Sequence, residues 1–295
     1  MTKSKQSFSA MVGDYPITRA LKRGAVTSPT IELHFADVAL PQKAFKRVVR
    51  NLEFDVAELA IVTFLMAKAR GIALSLLPVT ITARFQHPYL VYNPAVGQLS
   101  PKDLEGRRIA IRSYTVTTVT WLRGMLAYDY GVDVDRIKWV TFEDAHVAGF
   151  SDPKGVERAA PGTDMMDLLR AGEVDAAILG APLGSPEFAT LFPDPVLASR
   201  QWHNEHQAIQ INHIMVVQDA IAHSNPKAVK EIYRMLLDSK EASSAGGRQT
   251  RDMNPFGLSK NRKNLEIAVE YVYKLGLIPF QYSVDDLVHE ALRDL

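Results

Sequence analysis

Asp103–Thr118, DLEGRRIAIRSYTVTT, decides the reading of this chain. An acidic turn leads into Ile109-Ala110-Ile111, a short apolar run bounded by polar residues, as in a buried strand. Five hydroxyls follow at once, on Ser113, Tyr114, Thr115, Thr117 and Thr118. Beyond them the pattern reads as a helix to about Tyr130, with Gly131 suited to a left-handed stop. A strand that delivers a hydroxyl-rich loop to a helix N-terminus presents unpaired backbone N–H groups at the positive end of the helix dipole. A carboxylate or phosphate is favoured there, so the stretch points to an α/β protein that handles a small anion.

Strand-like and helix-like segments alternate on both sides of it. Ser7–Val12 and Thr30–Val38 read as strands, the first ending at the turn Gly13-Asp14-Tyr15-Pro16. A helix over Gln42–Asn51 presents Phe45, Val48 and Val49. Phe54–Gly71 reads as one buried helix entered through Asp55 as its cap. Leu74–Val79 and Tyr89–Tyr92 read as strands of the same sheet, and Asn93–Pro101 as a hinge. Ile137–Thr141 and Asp175–Leu179 follow as strands, with a helix over Thr163–Ala171 capped by Thr163 or Asp164. After Pro193-Asp194-Pro195 the chain crosses back. A strand over Ile209–Val217 and a helix opening at Asn225-Pro226 come next, then a polar surface loop over Ser239–Asn254. Helices over Arg262–Leu275 and Val284–Arg293 finish the chain, the last opened by a capping box of Ser283 and Asp286. The alternation implies mainly parallel α/β sheets in two lobes, 1–95 with 196–295 and 96–195. It places a central cleft beyond the carboxyl ends of the strands.

Composition narrows the function. The 295 residues carry a net charge of +1, so no electrostatic footprint for nucleic acid or an anionic membrane is present. The longest apolar stretch, Leu59 to Ala67 with Thr63 inside it, falls far short of the ~20 residues of a membrane span. The N-terminal MTKSKQSFSAMVGDYP lacks the apolar core of a secretory signal, and the absence of cysteine fits a cytoplasmic protein. It also excludes thiol nucleophiles. Neither a G-x-S-x-G elbow nor a P-loop occurs.

Four segments carry a family resemblance: EFDVAELAIVTFLMAKARG (Glu53–Gly71), RFQHPYLVYN (Arg84–Asn93), DLEGRRIAIRSYTVTTVTWLRGML (Asp103–Leu126) and GLSKNRKNLEIAVEYVYKLGL (Gly257–Leu277). Together they resemble the 4,5-dihydroxyphthalate decarboxylase family from about Tyr15 to Leu287. AGEVDAAI (Ala171–Ile178) is shared with binding proteins generally, whereas FQH and WLRG are more specific. The resemblance implies a two-lobed fold like that of type II periplasmic binding proteins. It also implies a cofactor-independent decarboxylase of a hydroxylated aromatic carboxylic acid, cytoplasmic and oligomeric. The rival readings are a solute-binding protein for a small aromatic or anionic ligand, and an enzyme of another class acting on an aromatic ring. The chain departs from the family pattern at three places. Ser113, after Arg112, replaces an acidic residue; Gln86-His87-Pro88 replaces Arg-His-Ser; and Ala83, beside Arg84, replaces a basic residue.

Such a reaction needs a group to hold the carboxylate, assistance to phenol deprotonation, and one proton delivered to the ring. His87 is the first candidate for the acid or its relay, since it follows a strand among aromatics and histidine titrates near neutrality. His213, inside the apolar INHIMVV, is either a core histidine or a partner in the chemistry. Glu58 could orient a histidine or accept the phenol proton. Arg19 and Arg84 are the expected carboxylate anchors, with Arg112 a third, and Ser113, Tyr114, Thr117 and Thr118 complete the binding loop. Trp121 and Arg123 read as packing and a structural ion pair. His203 and His206 in WHNEH have a spacing that metals sometimes use, but with Glu205 they read as loop surface, and no metal is expected.

Overall fold

Val56-Ala57-Glu58-Leu59-Ala60 runs directly into Ile61–Ala69, yet the two halves take different structures. The structure, a computed structural model, describes residues 4–244 and 251–295. Where one long helix was expected, Val56–Ala60 is a strand and Ile61–Ala69 a helix. The strand is central and buried at all five positions, so it lacks the alternation that would have announced it. Asp55 is no helix cap either. Its Oδ2 accepts from the Ser9 amide (2.7 Å) and the Ser9 hydroxyl (2.9 Å), which ties two neighbouring strands together.

The chain divides into two compact units, one from 1–83, 211–266 and 280–295, the other from 84–210 and 267–279. The first contains strands β1 (Gln6–Met11), β2 (Ile31–Phe35), β3 (Val56–Ala60) and β4 (Leu74–Ala83). In the second are β5 (Leu90–Tyr92), β6 (Arg108–Ile111), β7 (Lys138–Thr141), β8 (Glu157–Arg158), β9 (Ala176–Ile178) and β10 (Ala189–Thr190). β11 (Ile211–Gln218) returns to the first unit. The first sheet runs β2-β1-β3-β11-β4, with β11 antiparallel to both of its neighbours. The second runs β10-β5-β9-β6-β7-β8, parallel from β9 through β8 and antiparallel at β5 and β10. The first sheet is therefore mixed, with β11 inserted antiparallel between β3 and β4, while the second is parallel except where β5 and β10 join it.

That pairing corrects the placement of Tyr89–Tyr92. β5 joins β9 and β10, not the sheet of β4, so the chain changes units after Ala83 instead of in the expected hinge over Asn93–Pro101. That hinge contains one 3₁₀ turn, Pro94–Val96, and a second, Pro101–Leu104, begins at its last residue.

The helices are α1 (Pro16–Lys22), α2 (Phe45–Asn51), α3 (Ile61–Ala69), α4 (Thr117–Tyr128), α5 (Met165–Ala171), α6 (Pro195–His206), α7 (Asp219–Ser224), α8 (Pro226–Ser244) and α9 (Leu258–Lys274). α5 follows the sequence reading closely. Asp164 accepts from the amides of Met166 and Asp167, and Gly172 closes the helix in the left-handed conformation. α6 replaces the expected crossover. Asp194 caps it through the Leu197 amide (2.8 Å) and Pro195 starts it, so His203 and His206 lie on a helix, not in a loop. α8 continues through Ser244 where a loop was expected from Ser239; the 245–250 part of that expectation lies outside the described residues. Ser239 is buried and its Oγ accepts the Leu21 amide (3.0 Å). The C-terminal helix is instead two 3₁₀ turns, Val284–Leu287 and Glu290–Leu292, the first opened by the expected Ser283–Asp286 box. Among the described residues no helix is long and apolar enough to cross a membrane.

Candidate functional site

β3 carries a carboxylate in the middle of a buried strand. Glu58 has no solvent exposure. Its Oε2 accepts from the Gly13 amide (2.9 Å), and its Oε1 accepts from both the Tyr15 hydroxyl (2.7 Å) and His213 Nδ1–H (2.6 Å). Burying a carboxylate costs several kcal/mol unless donors replace the lost water, and three donors do so here. Sheet register brings the histidine in. His213 on β11 pairs with Ala60, two residues along β3 from Glu58, so the two side chains are diagonal neighbours on one face. Phe45 on α2 meets the imidazole edge-on, with centroids 5.1 Å apart. With Nδ1–H engaged, Nε2 is the nitrogen left to exchange a proton, and the imidazole retains some exposure, 19%. Burial, and secondarily the Glu58 charge, push the Tyr15 phenol far above its ordinary range, so Tyr15 stays a neutral donor.

In the sequence Tyr15 belongs to a candidate lining loop after the first strand, and neither it nor Gly13 carries an expected chemical role. The available signal was the turn GDYP after a strand, which reads equally well as a plain helix start. Here Tyr15 is the N-cap residue of α1, and its amide bonds the Thr18 hydroxyl (3.0 Å).

In the second unit the hydroxyl-rich loop leads directly into α4. Thr117 and Thr118 open α4, whose N-cap residue, Val116, offers no side-chain bond to the first-turn amides. Arg84 reaches Thr118 Oγ1 (3.2 Å) and the Gly180 carbonyl (3.0 Å) through Nη2, and its guanidinium stacks over the Tyr89 ring (3.9 Å). Burial lowers the Arg84 pKa from its ordinary value, with Tyr89 acting in the opposite sense. Three buried polar atoms around this end have no hydrogen-bond partner: Ser113 Oγ, Thr117 Oγ1 and Arg84 Nε. Unpaired buried polar groups are rare because each costs about 1–3 kcal/mol. Two of the three, Ser113 Oγ and Thr117 Oγ1, stand at or just before the start of α4.

Other expected site residues are placed differently. His87 is wholly buried in the second unit. Ser199 Oγ lies 3.2 Å from Nδ1 and gives its own proton to the Pro195 carbonyl (2.6 Å), so Nδ1–H donates and Nε2 is left without a partner. Phe192 stands edge-on to the ring at 5.0 Å. Burial pushes the imidazole down to about 4, so it is neutral at physiological pH. Arg19 pairs with Asp14 at the surface (3.0 Å). Arg112 faces Glu143 (3.6 Å). Tyr114 accepts from Arg123 Nη2 (2.5 Å) and stacks under that guanidinium (3.9 Å). Among the described residues Arg123 has no carboxylate partner. The expected ion pair is thus a buried cation over the rings of Tyr114 and Trp139. His203 Nδ1 donates to the Ala208 carbonyl (2.8 Å), and His206 Nε2 contacts Asp129 Oδ1 (3.1 Å).

These two units have the fold of the periplasmic binding proteins. The aliphatic sulphonate binding protein SsuA of Escherichia coli matches 98% of this chain and 99% of its own, with a TM-score of 0.64 at 12% identity. SsuA of Xanthomonas axonopodis pv. citri, bound to MOPS, gives 0.57 at 12% over 97% and 99%. A Cys-to-Ser variant of DszB in complex with biphenyl-2-sulfinic acid gives 0.56 at 16% over 97% of each chain. At these identities the likeness defines the fold. In sequence the chain is related to the 4,5-dihydroxyphthalate decarboxylases, as the four segments indicated. The Comamonas testosteroni protein of that name is 29% identical over 242 residues, 76% of this chain and 71% of its own. The Pseudomonas putida protein is 27% identical over 219 residues, 68% and 82% of the two chains. No family model matches the chain.

Proposed function

We propose that this chain is a cofactor-independent decarboxylase of a hydroxylated aromatic carboxylic acid. The observation that carries the proposal is the Glu58–His213 pair, in a chain whose named relatives are 4,5-dihydroxyphthalate decarboxylases. A buried carboxylate holding Nδ1–H leaves Nε2, on an imidazole that keeps some exposure, as the proton acceptor, the arrangement of a general base. His213 takes the phenolic proton, and electrons move into the ring. The carbon bearing the carboxylate takes the proton back from the imidazole. Its bond to the carboxylate breaks, carbon dioxide leaves, and the bonding electrons restore the aromatic ring as a phenolate, which water protonates.

Roles are assigned within each unit. In the first, His213 moves the proton and Glu58 orients it. In the second, Arg84, Ser113, Thr117, Thr118 and the α4 amides hold a carboxylate. Tyr114, fixed by Arg123, shapes that loop. Arg19 and Arg112, already facing Asp14 and Glu143, are left out of the anchor. His87, neutral and enclosed, is given a structural role instead of the acid's. The reading carries with it a cytoplasmic location and self-association, in which the exposed Val196 and Leu197 on α6 are apolar positions to cover.

The test is carbon dioxide release from a panel of hydroxylated benzoates and phthalates. Release from one compound, reduced roughly 10²–10⁴-fold in His213→Ala and Glu58→Gln but retained in His87→Gln, is the expected result. Undiminished release in His213→Ala would remove the assigned base. Binding across the panel without release would favour a solute-binding protein, the role of the sulfonate-binding neighbours.

A further inference from the structure

Glu58 Oε1 receives two hydrogen bonds, from Tyr15 at 2.7 Å and from His213 at 2.6 Å, while Oε2 receives the backbone amide of Gly13. Two donors on one oxygen compete for its electron density. The strength of the His213–Glu58 bond therefore depends on Tyr15, and so does the electron density of the imidazole at Nε2. We propose that Tyr15 is a positioning residue for the proton-transfer histidine: its hydroxyl holds the Glu58 carboxylate in register with His213 Nδ1–H and moderates that bond. The inference deepens the reading of His213 as the base and rests on it for its catalytic meaning.

Three features make the role specific. Tyr15 stays neutral, so the donor does not switch off as pH rises. Its ring is seated by the glycine that supplies the third donor: a Cβ at position 13 would come within 2.6 Å of the Tyr15 ring, closer than any real contact. Its backbone is held separately, through the Thr18 hydroxyl, which in turn donates to the Gly13 carbonyl (2.7 Å). Gly13, Tyr15 and Thr18 thus form one bracket around a single carboxylate, and only Gly13 leaves space for the ring to lie across it. No other side chain among the described residues makes a hydrogen bond or ion pair to Glu58.

The experiment is nitrogen-15 and proton NMR of the full chain labelled at histidine, with no substrate required. In the wild-type protein the neutral His213 should be the Nδ1–H tautomer, with a protected, downfield Nδ1–H resonance. Tyr15→Phe removes the competing donor and should move that resonance further downfield. 3-Fluorotyrosine at position 15, a stronger donor of almost the same size, should move it the other way. Gly13→Ala should reproduce the Tyr15→Phe change by displacing the ring, and the double variant should add nothing. A merely structural tyrosine would leave the resonance in place, or broaden it alike in every variant; either result overturns the proposal, as does additivity in the double variant. Should Tyr15→Phe fail to fold, the fluorotyrosine protein decides alone through the sign of its shift. The shifts do not depend on turnover. Opposite shifts in a protein that releases no carbon dioxide would leave Tyr15 in its role and remove the decarboxylase reading.

Discussion

His87 gives the sharpest quantitative prediction, because its burial makes it a pH-dependent element of stability. The imidazole is pushed down to about 4 in the folded chain, from an ordinary value of 6.5. An imidazole that is harder to protonate when folded supports folding while it is neutral. Its contribution is complete above about pH 6.5 and is withdrawn as pH falls toward 4, because unfolding then gains a proton. Each unit of difference corresponds to about 1.4 kcal/mol, so the whole effect is about 3 kcal/mol, with about 2 kcal/mol already lost by pH 5. The structural cause is direct. The ring lies against Phe192, its Nδ1–H is given to Ser199, and among the described residues no acidic side chain bonds or pairs with it.

The perturbation is His87→Gln, followed by urea unfolding at a series of pH values from 7.5 down to 5, with tryptophan fluorescence reporting on the unit that contains Trp121, Trp139 and Trp202. Groups common to both proteins cancel in the comparison. The variant is expected to be less stable at pH 7.5, where it loses the Ser199 contact, and the gap to wild type should narrow by about 2 kcal/mol by pH 5. Parallel curves would show that His87 takes up its proton equally easily folded and unfolded. That result would refute both the low pKa and the exclusion of His87 from the chemistry.

Two further outcomes follow from the same structure. Ser113→Ala and Thr117→Val remove buried hydroxyls that have no partner; chemical denaturation should find them as stable as wild type or more so, while calorimetry should find oxyanion ligands bound roughly tenfold more weakly. Gly124→Ala places a Cβ 2.1 Å from the Tyr271 ring, against the middle of a buried side chain; a loss of about 1–3 kcal/mol is expected from its unfolding midpoint, and an unchanged midpoint would mean that Tyr271 is not held there.

The sequence was most legible where local rules act alone. Asp164, Gly172 and the Ser283–Asp286 box are end signals that depend on a few neighbouring residues, and the structure uses each as expected. The hydroxyl loop before α4 was legible for the same reason, since Ile109–Ile111 and Thr117 lie within ten residues of each other. Legibility failed where pairing decides. VAELA is apolar enough for a buried helix or a central strand, and only its two neighbours, β1 and β11, settle the choice. Tyr89–Tyr92 could join either sheet, and its partner β9 lies almost ninety residues away. Tyr15 escaped for the same reason, because its importance comes from a carboxylate 43 residues further along.

His87 and His213 show why residue type and apolar surroundings could not assign the chemistry. FQHPY and INHIM present much the same case in sequence, and family resemblance made His87 the stronger candidate. What separates them is one carboxylate. In a buried site the charged imidazole loses its hydration, and without an acidic neighbour it is pushed toward neutrality. His87 is in that position. Its free nitrogen is sealed away, so it has neither the charge to give a proton nor the access to take one. His213 instead faces a carboxylate that two further donors, Gly13 and Tyr15, help fix in place, and its side chain keeps some exposure. Glu58 Oε1 lies 2.6 Å from its Nδ1. The donors on Glu58 offset the cost of burying it and fix the His213 ring, and that pairing supports the proposal of a base on β11 and β3 rather than in the loop after β4.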